Sequence, residues 1–275
     1  MITFFPAKSG TLDCKKSGFL KSSSSTSNLA TETNVSSVVS SAKGNVNVRS
    51  QSGDITVSAS HVSARKDVNL LAGYNAKGEA IKGSKVSVNI LSGQDTVDAS
   101  FSQKKSGFGL FFGDGGFDIY RKSTTAGTAS VGTSVASSIS SQRGNVTILA
   151  QRDIAVEGSA ITAKRQVTLE AKRDVTITPG QHEAEQTFTK KVSGVGIHFS
   201  GGDGGFTAQA GYHGSTARNG QGATRVAPSI ITGGAGVKIH AGRDNTIVAA
   251  TIASKGKVDI HAGRDTKILA GTDTN

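Results

Sequence analysis

Residues 144–177 read GNVTILAQRDIAVEGSAITAKRQVTLEAKRDVTI, a stretch in which short bursts of alternating apolar residues return at fixed intervals. Ile148, Val156, Leu169 and Ile177 are separated by 8, 13 and 8 residues, and four isoleucines within residues 236–269 repeat the same gaps. A looser copy begins at Gly44 and is interrupted by GYNAKGEAIKG, residues 73–83. An internal period of this length indicates a solenoid or a repeat array.

The bursts alternate with a period of two and favour β-branched residues, which predicts short strands with one buried face. A coil of 21 residues places equivalent residues directly above each other. We therefore predict three stacked pairs, Val146 on Val167, Ile148 on Leu169 and Ile154 on Val175. This is a right-handed parallel β-helix, all-β, with coils about 4.8 Å apart.

The polar corners follow the same period. RD at 152–153 returns at 173–174, and HAGRD at 240–244 returns at 261–265. We expect the Arg and Asp residues to stack and to pair diagonally, because this arrangement relieves the repulsion between like charges. His240 and His261 should also stack, and since no third ligand recurs with them we interpret them as surface residues rather than a metal site.

Composition and charge exclude several classes of protein. Cys14 is the only cysteine, so neither an intramolecular disulfide nor a cysteine zinc site is expected. The start MITFFPAKSG lacks the features of a signal peptide, and no apolar run reaches about 18 residues. The net charge of +11 favours polyanions, but scattered basic pairs also fit an ordinary solvated face.

Glycine- and aromatic-rich inserts at 104–134 and 190–220 separate the ladder segments, and a shorter relative lies at 15–27. Each long insert contains GDGGF, around Asp114 or Asp203. A phosphate loop, a calcium repeat and a catalytic aspartate each lack a required partner in the sequence. We therefore interpret GDGGF as the turn of a hairpin that projects from the solenoid. Residues 181–191, QHEAEQTFTKK, are the one segment of helical composition.

The ordered combination of KKSGFGLFFGDGGF, VASSISSQRGNVTILAQRDIAVEGSAITA and VTLEAKRDVTI resembles the haemagglutinin repeat of filamentous haemagglutinin-like exoproteins. It is most similar to the second repeat region of contact-dependent growth inhibition exoproteins of Gram-negative bacteria. The resemblance covers residues 15–273. It implies secretion through an outer-membrane transporter, a β-helical filament at the cell surface, and adhesion or delivery of a toxin to a target cell.

From these features we divide the chain into a poorly ordered start at 1–14, a degraded repeat at 15–98, and two further repeats at 99–186 and 187–275. We expect a non-catalytic segment of a longer secreted exoprotein, with no cofactor, metal or catalytic residue and no nucleic-acid partner. The expected contacts with a membrane or partner are Phe108, Phe111, Phe112, Phe117, Phe199 and Phe206. The expected contacts with polyanions such as acidic glycans are Lys104, Lys105, Lys190 and Lys191.

Two other functions stay open at this point. The chain could be a polyanion-binding module that acts through its positive charge. It could also be a polysaccharide-acting β-helical enzyme, which would need acids and basic residues clustered on one face of the solenoid. The corner acids lie beside basic residues instead, which weighs against the enzyme.

Overall fold

The computed structural model describes residues 10–113, 116–202 and 205–275, except for the side chains of residues 113, 200–202, 205 and 206. All regular structure in these ranges is β, and no helix occurs in them. The chain repeats one unit three times. Each unit is a long antiparallel hairpin followed by two coils of three short parallel strands.

The first unit contains a hairpin, two coils and the interruption at 73–83. Its strands are β1 Gly10–Ser17, β2 Lys21–Glu32, β3 Val38–Ser41, β4 Val46–Ser50, β5 Ile55–Ser58, β6 His61–Ala64, β7 Val68–Ala72 and β8 Val88–Leu91. The interruption lengthens one corner of the second coil. Ile55 therefore pairs with Val88, 33 residues away, while Val46 pairs with Val68.

The second and third units have the same plan. The second consists of β9 Gly93–Gly113, β10 Gly116–Val135, β11 Ser138–Ser141, β12 Val146–Ala150, β13 Ile154–Glu157, β14 Ala160–Ala163, β15 Gln166–Ala171 and β16 Val175–Thr178. The third consists of β17 Gly180–Gly202, β18 Gly205–Ala227, β19 Ser229–Gly233, β20 Gly236–Ala241, β21 Asp244–Val248, β22 Ala250–Ser254, β23 Lys257–Ala262 and β24 Asp265–Leu269.

The short strands stack into three six-stranded parallel sheets, one for each side of the coil. The order along each sheet follows the chain, so six coils rise along one axis. Val146 pairs with Val167, Ile148 with Leu169 and Ile154 with Val175. The predicted parallel β-helix and its 21-residue register are confirmed.

The core is a set of aliphatic ladders inside the coils. Its largest fully buried side chains come from all three parallel sheets: Leu70, Ile90, Ile139, Ile148, Ile154, Ile161, Leu169, Ile177, Ile231 and Ile239. Alternate residues along each strand face outward, as in β15, where Val167 is buried and Thr168 is half-exposed. In the last coil Ile268 is 69% exposed. Among the described strands, β24 has a neighbour on one side only, where Ile247 pairs with Ile268.

The three hairpins do not project singly. They pair side by side into one antiparallel sheet, in the order β1-β2-β9-β10-β17-β18, which we call the hairpin sheet. Its strands are longer than the predicted inserts, since β9 begins at Gly93 and β17 at Gly180. Hairpin excursions are confirmed, and their association through β2–β9 and β10–β17 is an addition that the sequence did not indicate.

The helical composition of residues 181–191 is misleading. This segment lies in β17, whose backbone pairs with β10 on one side and β18 on the other. Two ladders of backbone hydrogen bonds override a weak local preference. The predicted turn residues Asp114 and Asp203 lie outside the described residues, but Gly113 and Gly116, which flank the first of them, face each other across β9 and β10.

Candidate functional site

The Lys-Lys pairs of the three inserts come into register across the hairpin sheet. One row across the strands reads Lys15, Ser24, Lys104, Thr124, Lys191 and Thr216. Residues paired across neighbouring strands point to the same face of a sheet. Since neighbouring strands are about 4.8 Å apart, the three lysines follow one another at intervals of about 9.6 Å on that face.

The four candidate lysines are divided between the two faces. Lys104 and Lys191 share one row, whereas Lys105 pairs with Ser123, in the next row, and points to the other face. Lys190 also belongs to that other face, because successive residues of a strand alternate. The third insert reads KKVSG where the second reads KKSG, so Val192 shifts the lysine pair by one residue. The second lysine of the third insert, Lys191, therefore shares a row with the first lysine of the second insert, Lys104.

The face that carries Lys104 and Lys191 is aromatic at the far end of the hairpins, and we call it the aromatic face. Phe108 contacts Tyr120 with ring centroids 4.9 Å apart. Phe117 contacts Phe112 at 6.2 Å and Phe199 at 6.5 Å. The rings thus pack on one another along the sheet.

Packing among these rings leaves much of their surface exposed. Phe112 and Tyr212 are each 75% exposed, Phe108 is 57% exposed and Phe199 is 40% exposed. Large exposed apolar patches are more common at interaction sites than elsewhere on a protein surface. Lys122 lies between this cluster and the lysine row, on the same face, paired with Ser106 and Ser193.

One of the six candidate phenylalanines lies on the other face, and the side chain of another is not described. Phe111 pairs with Asp118 and lies on the opposite face, where the Arg121 guanidinium carbon is 5.4 Å from its ring centre. The side chain of Phe206 lies outside the described residues. Phe108, Phe112, Phe117 and Phe199 are brought together as a surface.

The opposite face carries a groove lined with cations and hydroxyls. Lys16, Lys21, Lys105 and Arg121 line it, together with Ser23 and Ser123. A surface of this composition can bind sulfate, carboxylate or phosphate groups of a polyanion. Further along this face, the rings of Phe101 and Phe188 lie over Gly127, where an added Cβ would come within 2.5 Å of the Phe101 ring.

The sequence analysis missed a polar cluster at the far end of this opposite face. Asp118 is fully buried and accepts a hydrogen bond from Arg121 Nε at 3.0 Å. His198 Nε2 and His213 Nδ1 each lie 3.3 Å from Asp118 Oδ1. The two histidines are far from Asp118 in the sequence and share no motif with it, so only the pairing of β10, β17 and β18 reveals the cluster.

The corner acids form a ladder with arginines, as predicted. Arg173 donates to both carboxylate oxygens of Asp153, at 2.7 and 2.6 Å, and Arg243 and Arg264 bind Asp174 and Asp244 in the same way. The hydrogen bond from Arg264 holds the pKa of Asp244 below its ordinary value of 3.8. These carboxylates are engaged by the guanidinium groups of neighbouring coils.

His240 and His261 stack, as expected, but they lie within β20 and β23 rather than at a corner of the coil. The ring centroids of His240 and His261 are 5.4 Å apart, and His240 Nε2 lies 3.7 Å from Asp259. Lys257 donates a hydrogen bond to Asp259 and lowers the pKa of that carboxyl. Among the described residues, the group with three metal-ligating side chains in reach of one another is Asp118, His198 and His213.

In the described part of the chain, no helix is long and apolar enough to cross a membrane. A family model described as "Hemagglutinin repeat" matches residues 18–117 and 119–275, nearly the whole chain. No solved structure matches the chain significantly.

Curated relatives of the chain are very large proteins. The chain is 31% identical over 193 residues to a protein named tRNA nuclease CdiA from Escherichia coli O6:K15:H31, strain 536, and to its counterpart in Escherichia coli strain NC101. The match covers 68% of this chain but 6% and 5% of those proteins. The chain therefore spans only a small part of the length of these relatives.

Proposed function

The chain belongs to the haemagglutinin-repeat family of filamentous haemagglutinin-like exoproteins, and we propose that it is a non-catalytic segment whose hairpin sheet contacts the outer membrane of a target cell. The observation that carries this proposal is the aromatic face. It combines a cluster of exposed rings with a row of lysines on the same side of one sheet.

This combination suits the surface of an anionic bilayer. Phe side chains on an amphipathic surface can be buried at the boundary between headgroups and acyl chains, and each lysine near an anionic surface contributes about 1 kcal/mol. Lys104, Lys122 and Lys191 follow the rings toward the base of the hairpins. The rings would enter the interface while the lysines meet the headgroups.

In this proposal the β-helix supplies a rigid filament. Its ladders separate successive hairpins by two coils, and the hairpins join into a single sheet. The binding surface is consequently assembled from several repeats. Loss of one hairpin would interrupt it.

The remaining elements of the proposal rest on the family. We place the segment in an exoprotein that reaches the cell surface of a Gram-negative bacterium through an outer-membrane transporter, and that acts as an adhesin or delivers a toxin. The nuclease named for the Escherichia coli relatives is a property of those much longer proteins. The corner carboxylates of this chain are bound by arginines, which supports a structural role for them.

Vesicle flotation tests the membrane contact. The full chain should float with vesicles that contain anionic phospholipid, and Phe112→Ser combined with Phe108→Ser should abolish flotation. Phe101→Ser is the matched control, because Phe101 is also exposed, at 45%, but lies on the opposite face. Circular dichroism must show that each variant keeps its β structure. Equal flotation of both variants would refute the contact.

Acidic glycan binding is a second candidate, favoured by the groove of Lys16, Lys21 and Lys105. Heparin binding should then weaken steeply with salt, since the Debye length falls to about 8 Å at physiological ionic strength. Replacement of Lys105 and Lys190 by Gln should weaken heparin binding, whereas replacement of Lys104 and Lys191 should weaken vesicle binding. Because each pair lies on its own face, the two variants distinguish the two candidates.

A further inference from the structure

We propose that Asp118, His198 and His213 form a binding site for a divalent transition-metal ion of the zinc type, which joins the second and third hairpins. This inference is independent of the membrane contact, since the site lies on the face opposite the aromatic face. It rests on the spacing of the donor atoms, on the burial of Asp118 and of His213 Nδ1, and on the glycines that surround them.

The three donor atoms have the spacing of metal ligands. Asp118 Oδ1 is 3.3 Å from His198 Nε2 and 3.3 Å from His213 Nδ1, and all three atoms lie within 4.8 Å of one another. Around a tetrahedral zinc ion with bonds of about 2.0–2.1 Å, neighbouring ligand atoms are roughly 3.3–3.4 Å apart. An ion fits among these atoms with small adjustments of the side chains.

The donor set selects the class of ion. Two imidazole nitrogens and one carboxylate oxygen suit zinc, nickel or copper, whereas magnesium and calcium prefer sites made wholly of oxygen. The fourth position would be taken by water or by another ligand. Asp118 offers Oδ1 to the ion because Arg121 binds Oδ2, and this second hydrogen bond orients the carboxylate.

Glycines of β17 make room for the buried carboxylate. A Cβ added at Gly194 would lie 2.6 Å from Asp118 Cγ, and one added at Gly196 would lie 2.7 Å from its Oδ1. His198 follows Gly196 by two residues on β17, His213 pairs with Gly194, and the two ring centroids are 4.1 Å apart. At Gly194 and Gly196, β17 therefore has no side chain that would clash with the Asp118 carboxylate.

The ion pairs with Asp118 leave one buried nitrogen of the cluster without a hydrogen bond. His213 Nδ1 is buried and, among the described residues, has no hydrogen-bond partner with acceptable geometry, even though Asp118 is 3.3 Å away. Buried polar atoms almost always have a partner, so this nitrogen calls for an explanation. A metal ion within reach would satisfy it.

Zinc titration of the chelator-treated full chain tests the site. Calorimetry should detect one ion per chain, and cobalt should give the visible spectrum of a tetrahedral complex. His198→Gln and His213→Gln should each weaken zinc binding more than about 100-fold, since loss of mere supporting contacts costs 10–100-fold. His261→Gln is the matched control, because His261 belongs to the other histidine pair, on the β-helix, and should bind zinc like the parent chain.

Three results would overturn the proposal. They are the absence of saturable zinc binding, binding that survives both His198→Gln and His213→Gln, and binding that is lost in His261→Gln instead. In each case the cluster would be an ion-pair network only. Both histidines are partly exposed, with side-chain exposures of 27% and 32%, so these variants should fold. Asp118→Asn serves as a further test if circular dichroism shows native β structure.

Discussion

Replacement of Val167 by Asp should destabilise the β-helix strongly, because it puts a carboxylate into the middle of an aliphatic ladder. Val167 is fully buried and pairs with Val146 on one side and Val237 on the other, which are themselves 0% and 1% exposed. Loss of a buried valine costs about 1.5–3 kcal/mol. An uncompensated buried charge costs about 3–5 kcal/mol more.

The expected loss therefore exceeds about 4 kcal/mol, a large part of the 5–15 kcal/mol by which a typical domain is stable. Thr168→Asp is the control at the next residue. Thr168 points outward and pairs with Thr147 and Lys238, so a carboxylate there meets solvent and a lysine. We expect a change within about 0.5 kcal/mol.

Urea unfolding followed by far-ultraviolet circular dichroism measures both variants, and the midpoint with its slope gives the change in free energy. The pH dependence adds a second signature. Burial raises the pKa of a new carboxyl at position 167, so the deficit of Val167→Asp relative to the parent chain should shrink as the pH falls. Equal midpoints for Val167→Asp and Thr168→Asp would refute the assigned register.

Two further predictions concern the Arg–Asp pairs at the corners of the β-helix and the glycines of β17 beside Asp118. The pKa of Asp244 is lowered by Arg264, so its contribution to stability is present above about pH 4 and is lost as the pH falls through the lowered pKa. Thermal midpoints from about pH 5 to about pH 2 should therefore fall less steeply for Asp244→Asn than for the parent, and identical slopes would contradict this. Gly194→Ala crowds Asp118 and should cost about 1–3 kcal/mol, whereas an added Cβ at Gly211 meets nothing within 4 Å and should be tolerated. Similar thermal midpoints for the two alanine variants would contradict the crowding.

The pairing of hairpins within the hairpin sheet could not be predicted from local sequence patterns. Alternation in GFDIY and the glycines of GDGGF identify hairpins, but they do not say which hairpins pair. The row that joins Lys15, Lys104 and Lys191 depends on β2–β9 and β10–β17 pairing. Alternation along a strand already places the two lysines of each pair on opposite faces, so the grouping of four lysines as one surface was wrong. Only the strand pairing decides which lysine of one pair shares a row with which lysine of the next.

The β-helix was determined by the sequence alone, because its structural period equals its sequence period. A 21-residue repeat brings Val146 to Val167 and Arg173 to Asp153 with no knowledge of the rest of the fold. The cluster of Asp118, His198 and His213 obeys no such period. Its members meet only because three long strands pair and two glycines leave space between them, and these are properties of the tertiary structure.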